Sequence, residues 1–177
     1  MSATNTPAPF ASSYDALTYA YRFNHQQYER PLLNRQAAGP SVGCSGLSGL
    51  DGAGMAGSIR RHVTSMDPLA QAIIGAQFEE RTTGCKCCGQ SVPRLEWKAA
   101  VRFVAECATA QALTDCKRNP ELVFGIVARL FGMPINLGEL AEKCEASANT
   151  ASNLNGKIKR WLRGVRAAVR SGSDEDP

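Results

Sequence analysis

Long apolar runs are missing from this chain of 177 residues. No window approaches the roughly 20 consecutive apolar residues that a membrane-spanning helix requires. The opening MSATNTPAPF has no basic stretch followed by an apolar one, so no secretory signal is expected and a cytosolic, bacterial-host location is. Sustained alternation of apolar and polar residues is also missing, which argues against half-buried strands. Histidine is scarce: His25 and His62 are the only two, and neither stands beside an evident nucleophile or at a metal-ligand spacing. The paired carboxylates Glu79 and Glu80 read as a solvated helix end. The stretch DGAGMAG at 51–57 is glycine-rich, but it follows no expected strand and lacks the spacing of a phosphate-binding loop. With these signals absent, no enzyme is expected.

Acidic residues are missing from one long segment. Residues 146–170 carry Lys157, Lys159, Arg160, Arg163, Arg166 and Arg170 and no Asp or Glu. The whole chain, with 20 Lys+Arg against 16 Asp+Glu, has a net charge of only +4. Clustering matters more than the total when a polyanion is the partner.

A second Cys-x-x-Cys pair is missing as well. The seven cysteines are Cys44, Cys85, Cys87, Cys88, Cys107, Cys116 and Cys144. An odd number without a secretion signal argues against a disulfide framework. Cys85 and Cys88 form one Cys-x-x-Cys pair with Cys87 between them, flanked by Gly84 and Gly89. Zinc takes four ligands in a structural site. Cys85, Cys87 and Cys88 are candidate metal ligands, and Cys107, Cys116 or Cys144 would have to supply a fourth. Such a zinc ion would pin a loop and do no chemistry. Cys107 and Cys144 read equally well as small core residues.

Helical spacing dominates what is present. Residues 14–34 carry Leu17, Tyr21, Tyr28 and Leu32 on one stripe, interrupted at Pro31. The aromatic density suits a core face better than a base-stacking surface. Residues 36–57 read as a glycine-rich linker, with a short helix after it at 58–65. Asp67 caps a helix with Pro68 in its first turn, extending to about Arg81. TTGCKCCGQSVPR is a compact turn. Further helices cover 94–113, with Trp97, Val101, Val104 and Ala108 inward, and 120–131, capped by Asn119. The class is an all-α helical bundle with a Cys-rich loop. The organisation expected is an arm at 1–57, a helical domain at 58–170 and an acidic disordered tail at 171–177.

The end of the domain carries the sharpest pattern. Asn136 caps a short helix at 137–144, with Glu139 in the capping-box position. Glu145 and Ala146 turn the chain, and Ser147 caps a second helix running toward Val169. Ala141 is small where the two helices cross, and Ala146 plugs the turn. Ala151, Leu154, Ile158, Trp161, Leu162, Val165 and Val169 form the buried stripe. This is a helix-turn-helix spacing at 137–161, and such a motif places the first turns of its second helix in the DNA major groove. Asn149, Ser152, Asn153 and Lys157 then face base edges, where Asn suits adenine and Lys suits guanine or phosphate. Thr150, Lys159, Arg160 and Arg163 are placed to contact phosphates. Two features depart from the pattern: Glu145 stands where glycine is common, and Gly156 lies inside the second helix at a cost of about 1 kcal/mol against alanine. The competing reading is a helical hairpin with a solvated basic face.

LGELAEKCEASANTASNLNGKIKRWLRGV resembles the helix-turn-helix of sigma-factor region 4, and SMDPLAQAIIGAQFEER resembles the helix that precedes it in such modules. The order of that helix, the turn GCKCCG, the Trp-bearing LEWKAAVRFVAE and the terminal motif is similar to phage and prophage late-gene antitermination proteins of the Q type. The resemblance covers about residues 58–169 and is weak before Gly57. It implies a protein that binds double-stranded DNA near a late promoter, engages a paused RNA polymerase holoenzyme and carries it through terminators. The alternatives are a repressor or activator of initiation, and a protein-interaction domain whose basic helix docks on an acidic partner.

Overall fold

A computed structural model describes residues 9–28, 49–85, 87–114 and 119–171. The protein is all-α: seven helices and one two-stranded hairpin are found among the described residues. The chain divides into two compact units, Met1–Met66 and Asp67–Pro177.

The first unit pairs α1 (Ser13–Tyr28) with α2 (Gly49–Thr64). Ser12 caps α1: its Oγ accepts the Asp15 amide at 3.2 Å and donates to the Asp15 carboxylate at 2.7 Å. Ala20, Ala56 and Val63 are the buried apolar residues of these helices. Tyr19, Tyr21 and Phe23 of α1 serve this packing. A Cβ added at Gly52 would stand 2.5 Å from the Tyr19 hydroxyl and 2.8 Å from the Phe23 ring. Arg60 of α2 reaches back to α1, donating to the Ala20 carbonyl at 3.1 Å and lying over the Tyr21 ring.

The expected linker is therefore corrected from residue 49 onward: it is helical, and the boundary between units falls after Met66, not after Gly57. At Gly52 the small residue is needed because α2 presses there against Tyr19 and Phe23, a tertiary reason that local propensity does not reveal. Residues 36–48, the Pro31 interruption with Leu32, and the tail after Ser171 lie outside the described residues.

The second unit begins with α3 (Pro68–Phe78). Asp67 caps it, one carboxylate oxygen accepting the amides of Leu69 at 2.9 Å and Ala70 at 3.4 Å. The helix stops at Phe78, earlier than expected, because Glu79 turns extended and leads into a hairpin. Strands β1 (Thr82–Gly84) and β2 (Ser91–Pro93) pair antiparallel, Thr82 opposite Pro93 and Gly84 opposite Ser91. Three-residue strands are too short to show an alternation, which is why this segment reads only as a turn.

Then come α4 (Leu95–Ala112), α5 (Pro120–Leu130), α6 (Leu137–Lys143) and α7 (Ala148–Ser171). One core cluster joins the five helices of this unit, with Trp97, Val101, Val104, Leu122, Ile126, Phe131, Ala141, Ala151, Leu154 and Ile158 at its centre. Trp97 is 1% exposed and donates its indole N–H to the Ala76 carbonyl at 3.0 Å. The contact ties α4 to α3 and satisfies the ring's only polar atom. Asn119 does two jobs. Its side-chain oxygen caps α5, accepting from Glu121 and Leu122, and its amide donates to the Cys144 carbonyl at 3.0 Å. The start of α5 is thus fastened to the end of α6. Gly125 lets the two helices approach, since a Cβ there would meet the Leu140 methyls at 2.6 Å.

Candidate nucleic-acid interface

The terminal motif is assembled by two caps and one turn. Asn136 caps α6 by accepting the Gly138 amide at 2.9 Å. Glu139 contacts the Asn136 side-chain amide at 3.4 Å, so the two side chains meet each other in place of the expected backbone bond. At the other end of α6, the Ala146 amide donates to the Ala141 carbonyl at 2.9 Å and the Glu145 amide to the Glu142 carbonyl at 3.1 Å. That pair of bonds is a Schellman motif, which places its pivot residue in the left-handed region. The pivot is Glu145, with φ of 52°, the sole non-glycine residue with positive φ among those described. Ala146 then packs against the core, plugging the turn as expected.

Ser147 starts α7. Its Oγ accepts the Thr150 amide at 3.1 Å and shares a hydrogen bond with the Thr150 hydroxyl at 2.8 Å. Ala151, Leu154, Ile158 and Leu162 are buried, with Trp161 and Val165 partly buried against the same core. Trp161 also donates to Gln111 of α4 at 3.1 Å. This apolar stripe fixes the rotation of the helix and therefore what faces away from it.

Every sequence-predicted contact residue on α7 is exposed: Asn149, Thr150, Ser152, Asn153, Lys157, Lys159, Arg160 and Arg163. They are not equivalent. At 3.6 residues per turn, Asn149, Asn153 and Arg160 fall within about 40° of one another, and Arg163 lies about 40° to one side of Asn149. Lys157 and Lys159 flank this stripe on opposite edges, each about 80° from Asn149. From Asn149 to Arg163 the stripe runs about 21 Å, at 1.5 Å per residue. Lys157 thus belongs to an edge and not to the centre with the two asparagines. Thr150 holds its hydroxyl against Ser147 within the cap.

Gly156 lies on the same outward side, and nothing stands within 4 Å of a Cβ added there. The same holds for Gly164, which sequence reasoning passed over. Neither glycine is required by packing among the described residues. Both leave the backbone of α7 bare on its polar face.

The second candidate site is the tip of the β1–β2 hairpin. The Cys85 amide donates to the Gln90 carbonyl and the Gly89 amide to the Cys85 carbonyl, each at 2.8 Å. Gly89 has φ of 71°, so the tight reversal depends on glycine there. The reversal brings Cys85, Cys87 and Cys88 together, with their sulfurs all within 4.8 Å of one another. This group could hold a metal ion. Cys85 and Cys87 are closest, with sulfurs 2.8 Å apart. The hydrogen bond from the Cys87 thiol, helped by backbone amides, lowers the Cys85 pKa to about 7. The same contact raises that of Cys87, which gives up its proton later. Burial pushes the Cys107 thiol up, with the neighbouring carboxylates of Glu106 and Asp67 adding to the effect.

Cys107 and Cys144 do not join the cluster. Each is a half-buried thiol on another element, so the expectation that either supplies a fourth ligand is corrected. Cys44 and Cys116 lie outside the described residues. His62 is exposed on α2, and no described histidine or carboxylate joins the three sulfurs. Among the described residues no helix is long and apolar enough to cross a membrane.

Comparison with family models, curated proteins and solved structures finds no match to this chain.

Proposed function

We propose that the protein is a sequence-specific, double-stranded DNA-binding transcription regulator, with α7 as its recognition helix. The observation that carries this reading is the outward stripe of α7: Asn149, Asn153, Arg160 and Arg163 on a helix free of acidic residues, held at its start by a Ser147 cap and a Schellman turn. The first two turns present amides and a hydroxyl suited to base edges. The later guanidiniums stand two to three turns further on, where the duplex backbone is the nearer target. The bare backbone at Gly156 and Gly164 suits close approach by a bulky partner, because each glycine costs about 1 kcal/mol in an exposed helix interior and packs against nothing among the described residues. The resemblance to Q-type antitermination proteins narrows the proposal to a phage late-gene factor that acts with RNA polymerase in the bacterial cytoplasm. Such a protein works by positioning and needs no catalytic group.

A second reading, a protein-interaction module, is favoured by the apolar side chains that α4 leaves in solvent. Leu95 is 80% exposed and Phe103 40%. The two readings part in one experiment. Full-length protein is used to select fragments from random DNA at near-physiological salt, followed by terminator readthrough on templates carrying the selected site. An enriched motif with readthrough supports the antitermination factor. A motif without readthrough leaves a regulator of initiation, and unenriched DNA would falsify the recognition-helix assignment.

At the hairpin tip we infer metal binding by Cys85, Cys87 and Cys88. Zinc, the ion expected from the sequence, obtains three of its four bonds there and requires a fourth donor from elsewhere.

A further inference from the structure

The hairpin tip also carries information about the kind of ion, an inference that rests on the metal-binding reading of the cluster. Sulfurs bound to one ion at about 2.3 Å stand about 4 Å apart. The three sulfurs of Cys85, Cys87 and Cys88 already lie within 4.8 Å of one another. Cys85 and Cys87, at 2.8 Å, must separate by about 1 Å to share an ion at that spacing. Both are on one loop, and Cys87 is exposed, so side-chain rotation suffices.

Two further observations set this cluster apart from a closed zinc site. The first is the donor count. No histidine, carboxylate or fourth thiol among the described residues joins the three sulfurs. The second is the bonding that the hairpin itself supplies. Three paired positions, the two backbone bonds across the tip, and the bond from the Arg94 amide to the Arg81 carbonyl fix its strands. Arg94 also pairs with Glu80 at 2.7 Å across the hairpin base. A structural zinc usually supplies the folding energy its loop lacks, and takes four protein ligands to do so. Here backbone bonds close the loop, and among the described residues three donors meet.

We propose that Cys85, Cys87 and Cys88 form an open, three-thiolate site for a soft monovalent cation, copper(I) being the chemical type. Thiolates select soft ions, and copper(I) is satisfied by three of them, whereas zinc is left with one position for solvent. Binding forms three metal–sulfur bonds and releases the remaining thiol protons to solvent, with no change of oxidation state. The exposure of Cys87 and Cys88 leaves the ion accessible to exchange.

The test uses the reduced full-length protein without oxygen. Copper(I) is titrated against a chromogenic copper(I) chelator, and zinc(II) in parallel against a chromogenic zinc chelator. One copper(I) per chain should resist the chelator. Cys85→Ser, Cys87→Ser and Cys88→Ser should each weaken that binding at least tenfold, while Cys107→Ser, Cys116→Ser and Cys144→Ser leave it unchanged. The metal-free protein should keep its helical circular dichroism. X-ray absorption of the copper-loaded wild-type chain should count three sulfur neighbours, a readout that does not depend on any variant folding. Tight zinc binding that is lost on replacing Cys107, Cys116 or Cys144 overturns the three-thiolate assignment while keeping a metal site. Retention of neither ion overturns both.

Discussion

Glu145 and Gly132 occupy the same position in two Schellman turns, and only one of them is a glycine. At the end of α5 the Met133 amide donates to the Ala128 carbonyl and the Gly132 amide to the Arg129 carbonyl, repeating the pattern that ends α6. Gly132 has φ of 90° and Glu145 has φ of 52°. A side chain in the left-handed region costs about 1–2 kcal/mol. Glu145→Gly should therefore stabilise the domain by about 0.5–1 kcal/mol after the entropic cost of glycine, read as a higher urea midpoint at constant slope. Gly132→Ala should do the opposite and cost more, since its Cβ would also stand 2.8 Å from the Arg81 guanidinium. The same residue-level logic separates the proposed DNA contacts. Asn149→Ala should relax preference at one base pair, a loss of about 1–3 kcal/mol of discrimination. Arg160→Ala should weaken all sequences alike and lower the salt slope by about 1. Equal behaviour of the two variants would remove α7 from the groove. Cys85 offers a pH test. Because its pKa is lowered to about 7, its alkylation in metal-free protein should rise as pH increases through that value. Cys107, held protonated by burial, should react only at higher pH.

At the scale of elements, what the sequence discloses depends on how local the cause is. The caps at Asp67, Asn119, Asn136 and Ser147 are readable because each acts over two or three residues, and all four cap as expected. The buried stripe of α7 is readable because its period repeats over several turns. The glycine-rich α2 is not, since Gly52 answers to Tyr19 and Phe23 on another helix. Nor is the role of Gly125, which answers to Leu140. Gly125→Ala should destabilise the α5–α6 packing, and the double variant Gly125→Ala, Leu140→Ala should lose less than the two single changes added together. A fully additive cycle would show that the close approach is not felt. Gly156 separates stability from function on a single helix. With open space around its added Cβ, Gly156→Ala should raise stability by about 1 kcal/mol, seen in thermal unfolding. The same variant should bind the selected DNA more weakly, because the added methyl stands on the face proposed to approach the duplex. Increased stability with unchanged affinity would leave Gly156 outside the interface.

For the molecule as a whole, the division after Met66 separates a small helical pair from the unit that carries both candidate sites. The core of the second unit is self-contained: its buried cluster runs from Ile73 to Leu162. Its first helix is capped from within by Asp67, so no cap is lost if the chain starts there. Its polar face is equally self-contained, since α7 holds six of the 20 basic residues and none of the 16 acidic ones. A fragment of residues 67–177 should therefore unfold in a single cooperative transition and select the same DNA motif as the full chain, with the same salt slope. Comparing the two by urea unfolding and by fragment selection checks both claims. Loss of the cooperative transition would mean that the first unit completes the fold. A folded fragment with a different motif would mean that residues 1–66 take part in choosing the site. Under the antitermination reading a third comparison follows, because DNA binding and polymerase modification are separate acts. The fragment should occupy the site yet fall short of the full chain in terminator readthrough if the aromatic pair of helices serves the polymerase. Equal readthrough would place the whole activity in residues 67–177 and leave the first unit without a part in it.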